Sequence, residues 1–303
     1  MINGVINIYK EPGYTSHDVV AKLRGITHQR KIGHTGTLDP AAEGVLCVCL
    51  GAATRICDML TDETKEYEAT LLLGVTTDTL DTTGEVLSRS SVNVSEEEIT
   101  EVINSYIGDI MQVPPMYSAL KVDGKKLYEL AREGKEIERK PRPVTIHDIQ
   151  ICNIELPRIT MKVICSKGTY IRTLCDDIGR DLGCGGAMEH LARTRVGDFT
   201  IDKAYKLDQI REYMEKDSLA DILISPFDMF SKLPVLRTNN HGDKMASNGN
   251  ILALGDLCDI DKISLHNNER VRVVSNDGFF YGIYVYFEKN KILKPDKMFL
   301  CKL

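Results

Sequence analysis

Apolar residues recur along this chain at two spacings. From Lys65 to Gly74, Tyr67, Ala69, Leu71 and Leu73 alternate with Glu66, Glu68, Thr70 and Leu72. This is the period-two pattern of a strand with one buried face, and it sets the Tyr67 ring on the core side. Val5 to Tyr9 reads as a second strand, and Met161, Val163 and Cys165 mark the inner face of a third. Helical spacing takes over at Val19, Val20, Leu23 and Ile26, behind the cap signal Thr15-Ser16-His17-Asp18. It returns at Ile99, Val102, Ile103 and Tyr106, behind a Ser95/Glu98 capping box. The strand ending at Cys165 turns at Lys167-Gly168 and feeds a helix with Ile171, Leu174, Cys175, Ile178 and Leu182 inward, which Gly183 stops.

Two stretches depart from this texture. Lys121 to Arg142 carries eight basic and five acidic residues and ends at Pro141 and Pro143, which reads as an insertion over about 121–143. Beyond Pro234 short strands gather around an Asp277-Gly278 turn, so a separate small β domain is expected over 235–303, after a main domain of 1–234.

At 303 residues and a net charge of −6, the chain excludes a protein coated in positive charge, so an anionic partner must meet a local patch. Val19 to Leu38 is one such patch, with Lys22, Arg24, Arg30, Lys31 and two histidines but no acid. Nine scattered cysteines without a C-x-x-C pair argue for reduced thiols and a cytoplasmic protein. The N-terminus has no signal-peptide pattern, and the longest apolar run, Val45-Leu46-Cys47-Val48-Cys49-Leu50, is too short for a membrane span.

Candidate chemistry concentrates in two segments. In Gly33-His34-Thr35-Gly36-Thr37-Leu38-Asp39-Pro40-Ala41-Ala42-Glu43-Gly44 the glycines allow close backbone approach, and Pro40 restricts Asp39. Asp-Pro-Ala-Ala is also how many helices begin, with Asp39 as the cap and Pro40 at the first helical position, and on this stretch alone the cap is the stronger reading. Ser166-Lys167-Gly168-Thr169-Tyr170-Ile171-Arg172-Thr173 sits at a strand-to-helix junction, where Arg172 presents either a fork for an anion or an ordinary surface charge.

In order along the chain, GHTGTLDPAAEGVL, KEYEATLLLG, PPMYSALKVDGKKLYELAREG, SKGTYIRTLCDDIG and HLARTRVG resemble the motifs of the TruB-type tRNA pseudouridine synthases, from the N-terminus to about residue 200. The resemblance implies an α+β fold: a mixed sheet with flanking helices, an RNA-gripping insertion and a C-terminal PUA-like β domain. It implies an isomerase acting on uridine 55 in the tRNA T-arm, working in the cytoplasm as a monomer with no cofactor, no metal and no obligate protein partner. Breaking the C1′–N1 bond, turning the uracil and rejoining it at C5 conserves atoms. The reaction asks for one carboxylate, a cation to keep it ionised, and aromatic walls for the loose base. By resemblance these are Asp39, Arg172, Tyr67 and Tyr170. His34 would fill the stack left by the flipped base, Leu191 would wall the uracil, and Lys10 would contact substrate. Lys10 lies in a Lys10-Glu11-Pro12-Gly13 segment whose proline is one place later than usual.

RNA grip is expected from Arg30 and Lys31 in the acid-free stretch and from Lys125, Lys126, Arg132 and Lys135 in the insertion. The rivals to this reading are a tRNA-folding chaperone without catalysis and a pseudouridine synthase of different RNA specificity, such as a guide-dependent one.

Overall fold

The computed structural model describes residues 1–122, 124–258 and 264–302. Residue 123 of the expected insertion, and residues 259–263 and 303 of the expected C-terminal unit, lie outside the described residues. A nine-stranded mixed sheet is the frame. Its main path runs Gly4–Lys10, Glu43–Leu50, Gly186–Val196, Lys65–Leu73, Arg158–Cys165, Arg142–Glu155, Gly108–Gln112. Only the short contact of 186–196 with 43–50 is parallel along this path. Strand 65–73 has Tyr67, Ala69, Leu71 and Leu73 buried, as its alternation requires.

Helices Glu96–Ser105 and Ile171–Asp181 cover this face, with Ile99, Ile103, Ile171, Leu174, Cys175 and Ile178 packed onto Met161, Val163 and Cys165. Ser95 caps the first of these helices in a reciprocal box with Glu98. Thr15 does the same with Asp18 for helix Ser16–Thr27, which packs with Leu207–Glu215 over Ile6, Ile8, Leu46, Val48 and Leu50. Among the described residues no helix is long and apolar enough to cross a membrane.

The insertion opens as two short paired strands, Lys121–Val122 and Lys125–Lys126, followed by helix Leu127–Arg132. A second, five-stranded sheet begins at Val235 and runs Val235–Arg237, Arg270–Val274, Phe279–Phe287, Ile292–Lys302, Leu252–Ala253. This sheet does not stand apart from the main one. Val274, Phe280, Ile283, Phe299 and Cys301 form one buried cluster with Val5, Val45, Cys47, Cys49, Ala52, Ala53, Ile56, Val196 and Phe199. Strand 43–50 thus sends Leu46, Val48 and Leu50 into one core and Val45, Cys47 and Cys49 into another. Arg272 fastens the connection by donating to the carbonyls of Phe227, Ser231 and Leu233 while lying 4.1 Å from the centre of the Phe227 ring.

Candidate active site

Asp39 lies on an irregular loop between strands Ile32–His34 and Glu43–Leu50, with no helix following Pro40. The helix-cap reading therefore falls. Arg172 is in the first turn of helix 171–181, yet its side chain is buried rather than displayed to solvent. It meets Asp39 as a fork, Nε to Oδ2 at 2.9 Å and Nη2 to Oδ1 at 3.3 Å. Its remaining donors go to the carbonyls of Tyr117 (2.8 Å) and Thr79 (3.1 Å) and to Asp81 Oδ2 at 3.5 Å. Burial pushes the Asp39 carboxyl above its ordinary value, and Arg172 pulls it back.

The loop is held from behind. Lys10 is wholly buried and donates to the carbonyls of Ala42 (2.5 Å), Pro40 (3.2 Å) and Glu11 (3.2 Å). Desolvation lowers its pKa to about 8. Lys10 therefore shapes the loop from inside and presents no surface to substrate, which corrects the substrate-contact expectation: three carbonyls already occupy its ammonium. The Gly13 N–H bonds Pro40 O at 2.8 Å, with Gly13 at φ +87°, so the shifted proline of that segment leaves the loop contact intact.

Tyr67 is buried beside Leu38 and Leu191 in the sheet-face cluster, and burial raises its hydroxyl pKa. Leu191 pairs with Ala69 on the neighbouring strand. Tyr170 precedes helix 171–181, half-buried, with its N–H and C=O both bonded to the Gln112 side-chain amide at 2.8 and 3.1 Å. The cluster that holds Tyr67 and Leu191 also contains Leu38 and Ile171, chain neighbours of Asp39 and of Tyr170 and Arg172, so these residues are gathered over one face of the sheet. His34 stands at the loop's start, half-buried and edge-on to His17 with ring centres 5.3 Å apart. Burial and His17 lower its pKa, which favours a neutral ring suited to stacking.

Arg30 and Lys31 are exposed. In the insertion Lys125 and Lys135 share Glu133 at 3.9 and 2.7 Å. Lys126 and Arg132 both lie over the Tyr128 ring, at 5.2 and 5.4 Å.

Sequence reading missed four contributors: Asp81, Gln112, Tyr117 and Arg193. Asp81 had a local signal, since threonines two places to either side hold its Oδ1: Thr79 Oγ1 at 2.8 Å and the Thr83 N–H at 3.0 Å. Nothing local told that its other oxygen faces Arg172.

The TruB family pseudouridylate synthase N-terminal domain matches residues 24–171, and the tRNA pseudouridylate synthase B C-terminal domain matches 172–230. With the mixed α+β sheet, these matches define the class: a pseudouridylate synthase, an isomerase. A protein named tRNA pseudouridine synthase B from Lachnoclostridium phytofermentans is 50% identical over 99% of this chain and 100% of its own length. One of the same name from Bacillus pumilus is 42% identical over 98% of each. The chain belongs to the TruB family. Among solved structures, a Cbf5-Nop10-Gar1 complex matches with TM-score 0.71 and 27% identity, over 98% of this chain and 85% of that one. The family division at 171/172 falls inside the first turn of a helix whose following strand, 186–196, lies mid-sheet, so it does not separate two folded bodies.

Proposed function

We propose that this chain converts uridine 55 in the T-arm of tRNA to pseudouridine, as a cytoplasmic monomer that needs neither a guide RNA nor a cofactor. The carrying observation is the state of Asp39: a buried guanidinium clamps both its oxygens, yet the side chain is still 36% exposed. A guanidinium held inside the protein thus orients a carboxylate that is still open to an incoming substrate. Names of relatives matched over their whole length support tRNA as the substrate.

In this reading the target base is turned out of the T-loop, at about a few kcal/mol for unstacking, and His34 takes its place. Tyr170 and Leu191 flank the loose uracil, and Tyr67 closes the pocket floor. Asp39, kept ionised by Arg172, acts on the sugar or the base. The leaving base is also the returning nucleophile, so one carboxylate serves where ordinary retaining glycosidases use two. Residues 235–303 act as a PUA-like RNA-binding unit.

The test is incubation of unmodified tRNA transcript with the purified protein alone, followed by chemical mapping. Product at one T-loop position is expected. Product only after adding guide RNA would assign another specificity, and tight binding without product would assign a chaperone.

The insertion's grip has its own test. Replacing Lys125, Lys126 and Lys135 together by Gln should weaken tRNA binding and lower the slope of log affinity against log salt by about 1 to 2, as fewer counterions are released. The upper value of 3 is not expected, because Glu133 already neutralises part of Lys125 and Lys135. An unchanged slope would make the insertion a solvated face.

A further inference from the structure

Arg193 lies two places beyond Leu191 on strand 186–196 and is 2% exposed. It has no carboxylate within 4.0 Å among the described residues; its guanidinium instead donates Nε to Val45 O at 2.7 Å and Nη2 to Gly36 O at 3.2 Å. Gly36 precedes Asp39 and Val45 follows it, so one side chain ties the entrance of the catalytic loop to the strand by which the chain leaves. The backbones meet just as closely. Arg193 and Gly44 are partners in the parallel contact, and a Cβ on Gly44, which sits at φ +103°, would fall 2.2 Å from Arg193 O.

Two carbonyls could be held by a neutral amide. Burying a guanidinium without an ion-pair partner is costly, so the charge itself calls for a reason. The groups around Asp39 supply one. Facing it are Arg172, Asp81, Lys10, Arg193, Tyr67 and Tyr170, and Arg193 is one of three cations that favour its ionised form. Arg193 also favours the ionised form of Tyr67, on the adjacent strand.

We propose that Arg193 is a positioning residue of the isomerisation, fixing both ends of the Asp39 loop and adding positive charge beneath it. The inference rests on the role proposed above for Asp39. The experiment compares Arg193→Met and Arg193→Lys in single-turnover isomerisation across pH, with tRNA affinity and thermal melting measured in parallel. Arg193→Met should be slower by about 10²-fold with tRNA affinity within about threefold of wild type, because a misplaced carboxylate loses rate and not grip. Its acid limb should move to higher pH, since a cation that favours ionised Asp39 is gone. Arg193→Lys should also be slow, but with the limb near its wild-type position.

A merely structural residue would lower the melting temperature and leave the limb in place, and that result overturns the proposal. So does a wild-type rate in Arg193→Met while Asp39→Asn is inactive. Turnover in Asp39→Asn would instead remove the reading of Asp39, and this inference with it. Should Arg193→Met not fold, Arg193→Lys decides: a lowered kcat with unchanged KM upholds the proposal, and a wild-type kcat overturns it.

Discussion

Asp39→Asn should lower single-turnover isomerisation by at least ~10⁴-fold, the scale seen when a reacting group is removed from an otherwise intact site. An amide is neither a carbon nucleophile nor a useful base, while its shape still fits the loop. Binding should persist, because His34 and the outer cations are untouched. Stability should hold or rise slightly at neutral pH. A carboxyl whose folded pKa lies above its unfolded one supports the fold only while protonated, and that support is lost as pH rises through the folded value. The fold disfavours the ionised form of Asp39, a cost Asn lacks, and Arg172 keeps Asp81 as counter-charge. Tritium release from C5-labelled uridine in tRNA, with binding and melting in parallel, reads all three. Appreciable residual turnover would sink the assignment of Asp39.

Removing residues 235–303 should abolish soluble, folded protein rather than leave an active core. Val274, Phe280, Ile283, Phe299 and Cys301 would leave the cluster they share with Val5, Ala53, Ile56 and Phe199. At roughly 1.5–3 kcal/mol for each large apolar side chain, the loss is on the order of 10 kcal/mol. Whole domains are stable by only about 5–15 kcal/mol. The same strands would present a bare apolar face to solvent, and Arg55 would lose its contacts with Lys297 and Met298. A 1–234 protein that stays soluble and melts cooperatively would show the shared cluster to be dispensable.

Elements with a regular period were legible in the sequence: strand 65–73, the two boxed helices, and the turn that delivers Tyr170 and Arg172. Asp39 and Arg172 could be named because their motifs are contiguous. What escaped depends on distant backbone. Arg193 was within a quoted motif, but its partners Gly36 and Val45 are over 140 positions away and are reached only when strands 43–50 and 186–196 align. Lys10 was expected to contact substrate because no local pattern marks the carbonyls that enclose it.

In Phe279–Phe287 both strand faces are covered: Phe280 faces the shared cluster and Tyr284 the local one. A continuous apolar run, unlike an alternating one, already signals burial on two sides.

Arg172 holds Tyr117 O at 2.8 Å with the same planar group that holds Asp39, and Tyr117 lies at the root of the insertion, where Ser118 O and Leu120 O accept from Tyr128 and Leu127. On the function proposed above, RNA that displaced this root on binding the insertion would also move Arg172 against Asp39 and so change the proton affinity of the carboxylate. Linkage then works in reverse with equal magnitude: protonating Asp39 alters RNA affinity by the same factor. Recognition and acid–base state would then be two sides of one equilibrium, and a binding curve followed against pH would trace the titration of Asp39 without a single turnover.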